Sequence, residues 1–391
     1  MDPHGPIARR FPLIARFRPA CLPLPERVQS LVALAETAEH TGNQGLASAV
    51  FNQAALIAAD TGLPQLARTM CHQHAAAYLH ACPLPAMTAI RALEPLVNLA
   101  RLQIRAGRED DGRTRLMRLY NTARTTDTAQ FDGITVPAHL TEGPDARREV
   151  QAWLWRVLLA DGTRTLTTTG RWAEALAHLT AHHGIGRRML DGRQVAVLAA
   201  LVQDDKKTAA ALLTDTEPGQ PWEQAVTASL AALHRQSARR PAARHLDELA
   251  TTYLDHEAGH GTTVFDIRLG LTVLDILTTA CHRACPAVAR DLHRRTVRAR
   301  DGYAARETLA HPLFAALLTD TQIQDCRNLL AVCSLAANTL PPELHTALTD
   351  ALQRSEAVIR ASLPQPNPAP QLPPATAPVP PRRLNRAPAE P

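Results

Sequence analysis

Aromatic residues make up only 4% of this 391-residue chain, and its only lysines are Lys206 and Lys207. With 45% hydrophobic residues, the core has to be built from alanine and aliphatic side chains, which suits closely packed helices better than a β-sandwich. No run of about 18 apolar residues occurs, so no membrane-spanning helix is expected. The opening stretch "MDPHGPIARRFPLIARFRPACLPLPE" breaks its apolar runs with Pro and Arg before a signal-peptide core could form. A cytoplasmic location is expected, with no membrane partner.

The cysteines, Cys21, Cys71, Cys82, Cys281, Cys285, Cys326 and Cys333, are odd in number and scattered in a chain too long to need a disulfide framework, so reduced, buried thiols are expected. The net charge of +5 comes almost wholly from arginine and is only a weak sign of nucleic-acid affinity. Neither a Gly-rich dinucleotide fingerprint nor a G-x-x-x-x-G-K-[ST] phosphate loop is present, and no G-x-S-x-G elbow suggests a serine hydrolase. No cofactor is implied.

What the chain does have is helical periodicity from about residue 25 to residue 362, broken briefly at Gly, Pro, Asn or Asp. In "LVALAETAEHTGNQGLASAVFNQAALIAAD" two helices meet at a turn around Gly42; Leu31, Leu34, Ala35 and Ala38 share one face, and Ala47, Phe51 and Ala54 line the next helix. Small residues let such a pair approach closely, and stacking on neighbours covers its outer apolar surfaces. The same order recurs as Leu96, Leu99, Ala100, Gly107, Gly112, Leu116 and Leu119, then as Leu159, Gly170, Trp172, Ala175 and Leu179 in "TGRWAEAL", and more weakly as Ala209 and Leu213. These residues resemble the tetratricopeptide repeat, a 34-residue helix-turn-helix unit, over roughly residues 27 to 215. Gly162 and Thr163 depart from it, standing where Leu and a small residue are expected. The resemblance implies an all-α, right-handed superhelix of antiparallel helix pairs, with further divergent pairs in the roughly 65-residue intervals between the clear ones.

Composition divides the chain into an irregular basic segment (1–24), repeats (25–126), a loop (127–148), repeats (149–215), a C-terminal helical region (216–362) and a tail (363–391). Residues 120 to 148, rich in Thr, Asp, Gly and Pro, read as a long loop. The tail is too rich in proline for helix or sheet and reads as disordered; its Pro378, Pro381 and Arg383 have the P-x-x-P-x-R spacing that can dock on aromatic grooves.

One segment carries a catalytic spacing. His256, Glu257 and His260 in "YLDHEAGHGTT" match His-Glu-x-x-His, in which two histidines one helical turn apart hold Zn²⁺ while the glutamate activates its water. The surroundings favour a helix end instead. Thr263 occupies the position where metzincins carry glycine, although Asp266 stands where a third ligand could; all five methionines precede residue 256, which removes a Met-turn. For a gluzincin the available glutamates are Glu307 and Glu343, neither in a recognisable motif. Gly259 and Gly261 also weaken a helix where a zinc site needs rigidity. Cys71, His74 and Tyr78, and Cys281 with Cys285, could each lend two ligands, but neither set has the C-x-x-C pairing of a zinc knuckle. Arg290, Arg294 and Arg298, with Arg295 and Arg300 nearby, could meet phosphates, but Asp291 and Asp301 moderate that charge.

The reading that remains is a non-enzymatic adaptor or regulatory protein that binds a protein or peptide partner; a zinc hydrolase and a nucleic-acid-associated regulator are the alternatives, and the oligomeric state is open. Tetratricopeptide arrays bind in a groove lined by the first helix of each pair, and the resemblance places Gln29, Glu36, Glu39, Arg101, Arg105 and Arg164 there, the arginines suited to clamping a carboxylate or phosphate. Elemental analysis separates the main reading from the zinc alternative: untagged protein is expected to carry no stoichiometric zinc, and one zinc per chain lost in His256→Ala would establish the hydrolase site.

Overall fold

A computed structural model describes residues 1–364 except 126, 240 and 242, and shows a mostly helical chain. After a short helix α1 (Pro6–Arg10) and an extended segment, five antiparallel helices follow: α2 (Leu24–Thr41), α3 (Gln44–Asp60), α4 (Pro64–Leu79), α5 (Ala86–Arg105) and α6 (Glu109–Thr125). A two-stranded hairpin, β1 (Ala129–Phe131) and β2 (Ile134–Val136), leads to α7 (Pro144–Val157), which runs through a π-helical turn (Leu158–Gly162) into α8 (Thr163–Thr168). Then come α9 (Trp172–Ala181), α10 (Asp191–Val202), α11 (Lys206–Thr214), α12 (Pro221–Ser237), α13 (Ala243–Asp255), α14 (Thr263–Thr279), α15 (Cys285–Ala299), α16 (Gly302–Leu309), α17 (Pro312–Ala316), α18 (Asp320–Val332) and α19 (Pro342–Ala361).

The turns read from the repeat pattern are real turns. Gly42, Gly107 and Gly170 follow α2, α5 and α8 with φ of 62°, 74° and 74°, and Asp204 follows α10 with φ of 58°. This left-handed residue after a helix reverses the chain and lets its amide satisfy the last carbonyls. The following helix is capped where a side chain allows: Asn43 accepts from the amides of Gly45 (2.9 Å) and Leu46 (3.1 Å), and Asp205 accepts from that of Thr208 (3.0 Å). Between these pairs, however, stand the single helix α4 and the hairpin with α7, where divergent helix pairs were expected.

The segment 120–148 is also more ordered in type than a loop: helix continues to Thr125, and Asp132 and Gly133 (φ 50° and 85°) turn the hairpin. Positive φ at both central residues of a two-residue loop is the Asp-Gly signature of a hairpin, visible in "FDGI". Arg68 (3.1 Å) and Arg115 clamp Asp132, tying the turn to α4 and α6.

Two apolar cores organise the molecule. The first joins α2–α7 with α19, through Leu31, Phe51, Leu93, Leu154, Leu348 and Ile359. The second joins α1 with helices from α8 to α18, through Phe11, Trp172, Leu198, Leu274 and Phe314. Among the described residues the ends therefore cross: the first helix, α1, belongs to the second core and α19 to the first. Residue 148 lies in α7, whose Val150 and Leu154 join the first core, and residue 215 lies between α11 and α12, which both join the second. Among the described residues no helix is long and apolar enough to cross a membrane. The tail motif with Pro378, Pro381 and Arg383 lies outside the described residues.

A Cβ built on Gly107 meets nothing within 4 Å, so Gly107→Ala isolates the backbone cost of the left-handed turn. It is expected to lower the unfolding free energy by about 1 kcal/mol in urea denaturation.

Candidate functional site

The extended segment after α1 is held on both sides. Gln194, buried in α10, accepts from the Leu13 amide (2.7 Å) and donates to the Leu13 carbonyl (2.8 Å), pairing like a strand neighbour. Arg10 reaches Asp275 (2.6 Å), Arg16 reaches Asp191 (2.8 Å), and the Arg18 amide donates to the Gly261 carbonyl (2.9 Å). Phe17 nevertheless remains 66% exposed, its ring against Gly261, where a Cβ would fall 2.2 Å from it, and 5.7 Å from the His260 ring.

This segment forms one wall of a cleft of about 660 Å³ between the two cores. The opposite wall comes from α3, α4 and α5 and is apolar at Ala55, Leu56, Ala67, Val97 and Leu102; Trp153 and Val157 of α7 extend it. A volume of this order accommodates a drug-sized molecule or a few peptide residues. Six arginines line it, Arg16, Arg18, Arg101, Arg105, Arg164 and Arg268, against three carboxylates, Glu94, Asp161 and Asp191.

Most of these arginines are already engaged. Arg101 bonds Asp161 (2.8 and 2.9 Å) and donates to the Asn98 side chain (3.1 Å); Arg105 reaches Asp60 (3.1 Å), Arg268 reaches Glu307 (2.6 Å), and Arg18 lies over the Tyr303 ring at 3.8 Å. Arg164 differs: among the described residues it has no carboxylate within ion-pair distance, and its hydrogen bond is a long one to the Pro12 carbonyl (3.4 Å). Burial, together with the like charge of Arg268 and partly offset by the carboxylates of Glu307, Asp161 and Asp191, pushes its guanidinium down to about 10. The π-helical turn places Ala160, Asp161 and Arg164 together on the cleft, a local widening of the kind that re-aims side chains.

Polar side chains extend from Arg101 into the first core. Asn98 donates to Asn52 (2.9 Å), Asn52 donates to Glu94 (2.6 Å), and Ser48, also near Glu94 (3.4 Å), bonds His74 Nε2 (2.9 Å). Ser48 and His74 are an apparent nucleophile and base, but they are only 2% and 1% exposed, and the nearby carboxylate meets the serine rather than orienting the imidazole. His74 instead stacks on Phe51 (4.9 Å). Its neighbour Cys71 is a buried thiol pushed up to about 12 by desolvation, so neither residue is poised to react.

Of the six groove candidates the structure brings three, Arg101, Arg105 and Arg164, to this cleft. Gln29, Glu36 and Glu39 lie exposed on α2, away from it; Glu39 pairs with Arg354 (2.8 Å) of α19, which packs against that helix. The repeat alignment had no means of anticipating α19. The same alignment missed Arg16, Arg18 and Arg268, which enter from outside the repeat.

The His-Glu-x-x-His segment does not form a zinc helix. Helix α13 ends at Asp255, so His256, Glu257 and His260 lie in the connection to α14. His256 Nε2 bonds Asp266 (3.1 Å), the residue in the third-ligand position, and Arg295 donates to the His256 carbonyl (2.6 Å), adding positive charge. Glu307 is taken by Arg268. Among the described residues no group of three or more His, Cys, Asp or Glu is gathered as for a metal. On the basic face of α15, Asp291 binds Arg294 and Arg295, and Arg300 reaches Glu26 (2.6 Å); Arg290 and Arg298 remain without a carboxylate in ion-pair range among the described residues.

Comparison with protein-family models, curated proteins and solved structures finds no match for this chain.

Burial pushes His74 down to about 3. Between that value and the ordinary 6.5 the unfolded chain binds the proton that the folded protein excludes, so this contribution is complete above about pH 6.5 and is lost as pH falls toward 3. Urea denaturation is expected to show a slope of up to about 1.4 kcal/mol per pH unit from this residue in that window, and His74→Gln to flatten it relative to the parent.

Proposed function

We propose that this is a non-enzymatic adaptor or regulatory protein that captures an acidic, partly apolar peptide segment of a partner protein in the cleft between its cores. The observation that carries the reading is a cleft of peptide-side-chain size in which the aliphatic side chains of α3, α4 and α5 lie among six arginines, two of which, Arg101 and Arg105, stand on α5 itself. Acidic side chains would be drawn to the arginines, and leucine-sized neighbours would cover Leu56, Val97 and Leu102. The exposed Phe17 at the wall offers an aromatic anchor of the kind enriched at binding hot spots.

The helices between residues 27 and 215 are read as the tetratricopeptide-like part, a reading supported by the left-handed residues after α2, α5, α8 and α10 and, in α2–α6, by each helix packing on the next. Right-handed superhelical stacking belongs to the same reading. The partner would be met in the cytoplasm, a location supported by the free state of all seven cysteines. Chemistry of the protein's own finds little support, since the Ser48–His74 pair is sealed and the His256–His260 segment is a connection between helices.

The test uses full-length protein and a fluorescent, N-acetylated, C-amidated Leu-Glu-Leu-Glu-Leu peptide in an anisotropy titration. Saturable binding is expected, weakened at least tenfold (about 1.4 kcal/mol) by Arg101→Glu, which places a second carboxylate beside Asp161. Absence of saturable binding, or identical affinity in Arg101→Glu, would refute the cleft as the capture site.

A further inference from the structure

The cleft also distinguishes its arginines. Four of the six have a carboxylate within ion-pair distance, Arg101 with Asp161, Arg105 with Asp60, Arg16 with Asp191 and Arg268 with Glu307, and Arg18 lies on the Tyr303 ring. Arg164 has neither kind of partner among the described residues. Beside it Arg268 presents a buried Nε with no hydrogen-bond partner, although its Nη2 holds Glu307. Two guanidiniums thus line the same cleft close enough to act on each other, with donor capacity to spare on both. Guanidinium groups left in this state destabilise the empty site, and an anion held between them relieves both the desolvation and the repulsion.

The geometry points to Arg164 and Arg268 as a seat for one carboxylate of the ligand, Arg164 supplying a guanidinium that no carboxylate pairs directly and Arg268 a further N–H donor. A single negative charge fits better than a phosphate dianion, because Arg18 is already placed on the Tyr303 ring, Arg268 already holds Glu307, and Asp161 and Asp191 lie on the same cleft. The seat rests on the capture reading for its peptide ligand, yet its chemistry is independently measurable with a small carboxylate.

The first arm is thermal unfolding of the full chain in acetate against chloride at constant pH and ionic strength, for the parent, Arg164→Gln, Arg164→Lys and Arg290→Gln, the last an exposed arginine of α15. Acetate is expected to raise the melting temperature of the parent and Arg290→Gln with saturation, less so that of Arg164→Lys, which keeps the charge but loses the planar fork, and not that of Arg164→Gln. Without ligand, Arg164→Gln is expected to melt no lower than the parent, since it removes a repelled guanidinium. No acetate-specific rise in the parent, or an equal rise in Arg164→Gln, would overturn the seat, and phosphate stabilising more than acetate at equal concentration would overturn the single-charge assignment.

The second arm compares the Leu-Glu-Leu-Glu-Leu peptide with its Leu-Gln-Leu-Gln-Leu counterpart. At least tenfold discrimination in the parent, falling below about threefold in Arg164→Gln, supports the seat; undiminished discrimination in the variant overturns it while leaving peptide capture standing. An acetate effect lost in Arg164→Gln without binding of either peptide supports the seat and overturns the capture reading.

Discussion

A carboxylate sealed at the end of a helix ties the two halves of this protein together. Asp60, the last residue of α3, accepts hydrogen bonds from Arg27 (2.8 Å) and Arg105 (3.1 Å) of the first core and from the Tyr303 hydroxyl of α16. Its backbone and that of Thr61 accept from the amides of Ala336 and Asn338 (both 2.7 Å), fastening the loop that leads to α19. An ionised carboxylate at this depth carries a desolvation cost of several kcal/mol unless charge and hydrogen bonds offset it, so each partner is held by the others. Cys21, Tyr303 and Cys333 add a small apolar cluster beside this junction, where Asp301 caps α16 and accepts from the Cys21 amide (3.1 Å).

Joining two cores through a polar junction and a threaded segment leaves space between them. Direct apolar packing would have closed that space. Here the facing surfaces carry arginines whose charges are mostly neutralised from their own side, by Asp161, Asp191 and Glu307, so the cleft stays open without a strong net repulsion. Positions held by ion pairs are preorganised, which reduces the ordering cost a ligand meets. Arg164 is the exception, and its place on the helix comes from the π-helical turn, the very region where Gly162 and Thr163 depart from the repeat pattern.

Several local signals were legible in the sequence, and the hairpin at 129–136, read there as loop, was not. Gly42, Gly107 and Gly170 announce turns because a left-handed residue costs least without a Cβ; "FDGI" carries the Asp-Gly hairpin turn, but the period-two alternation is too short to reveal its strands. Arg101, Arg105 and Arg164 line the cleft, which is a space between two cores and not a groove made by the first helices of repeat pairs. Gln29, Glu36 and Glu39 do not, because α19, more than 300 residues later in the chain, packs against their helix and the cleft opens elsewhere. His256 and His260 keep zinc-peptidase spacing in sequence, yet spacing becomes geometry only on a continuous helix, and α13 stops at Asp255.

The sequence by itself determined the helical class, the main turns, and the lack of a phosphate cradle or a long apolar span, since each follows from residues within one or two helical turns of one another. The tertiary structure alone decided which arginines are neutralised, which helix covers which face, and that α1 and α19 cross between cores. Those outcomes depend on pairs such as Asp60 with Tyr303 and Arg10 with Asp275, separated by more than 240 residues, and no local pattern encodes a charge's distance from a partner so remote.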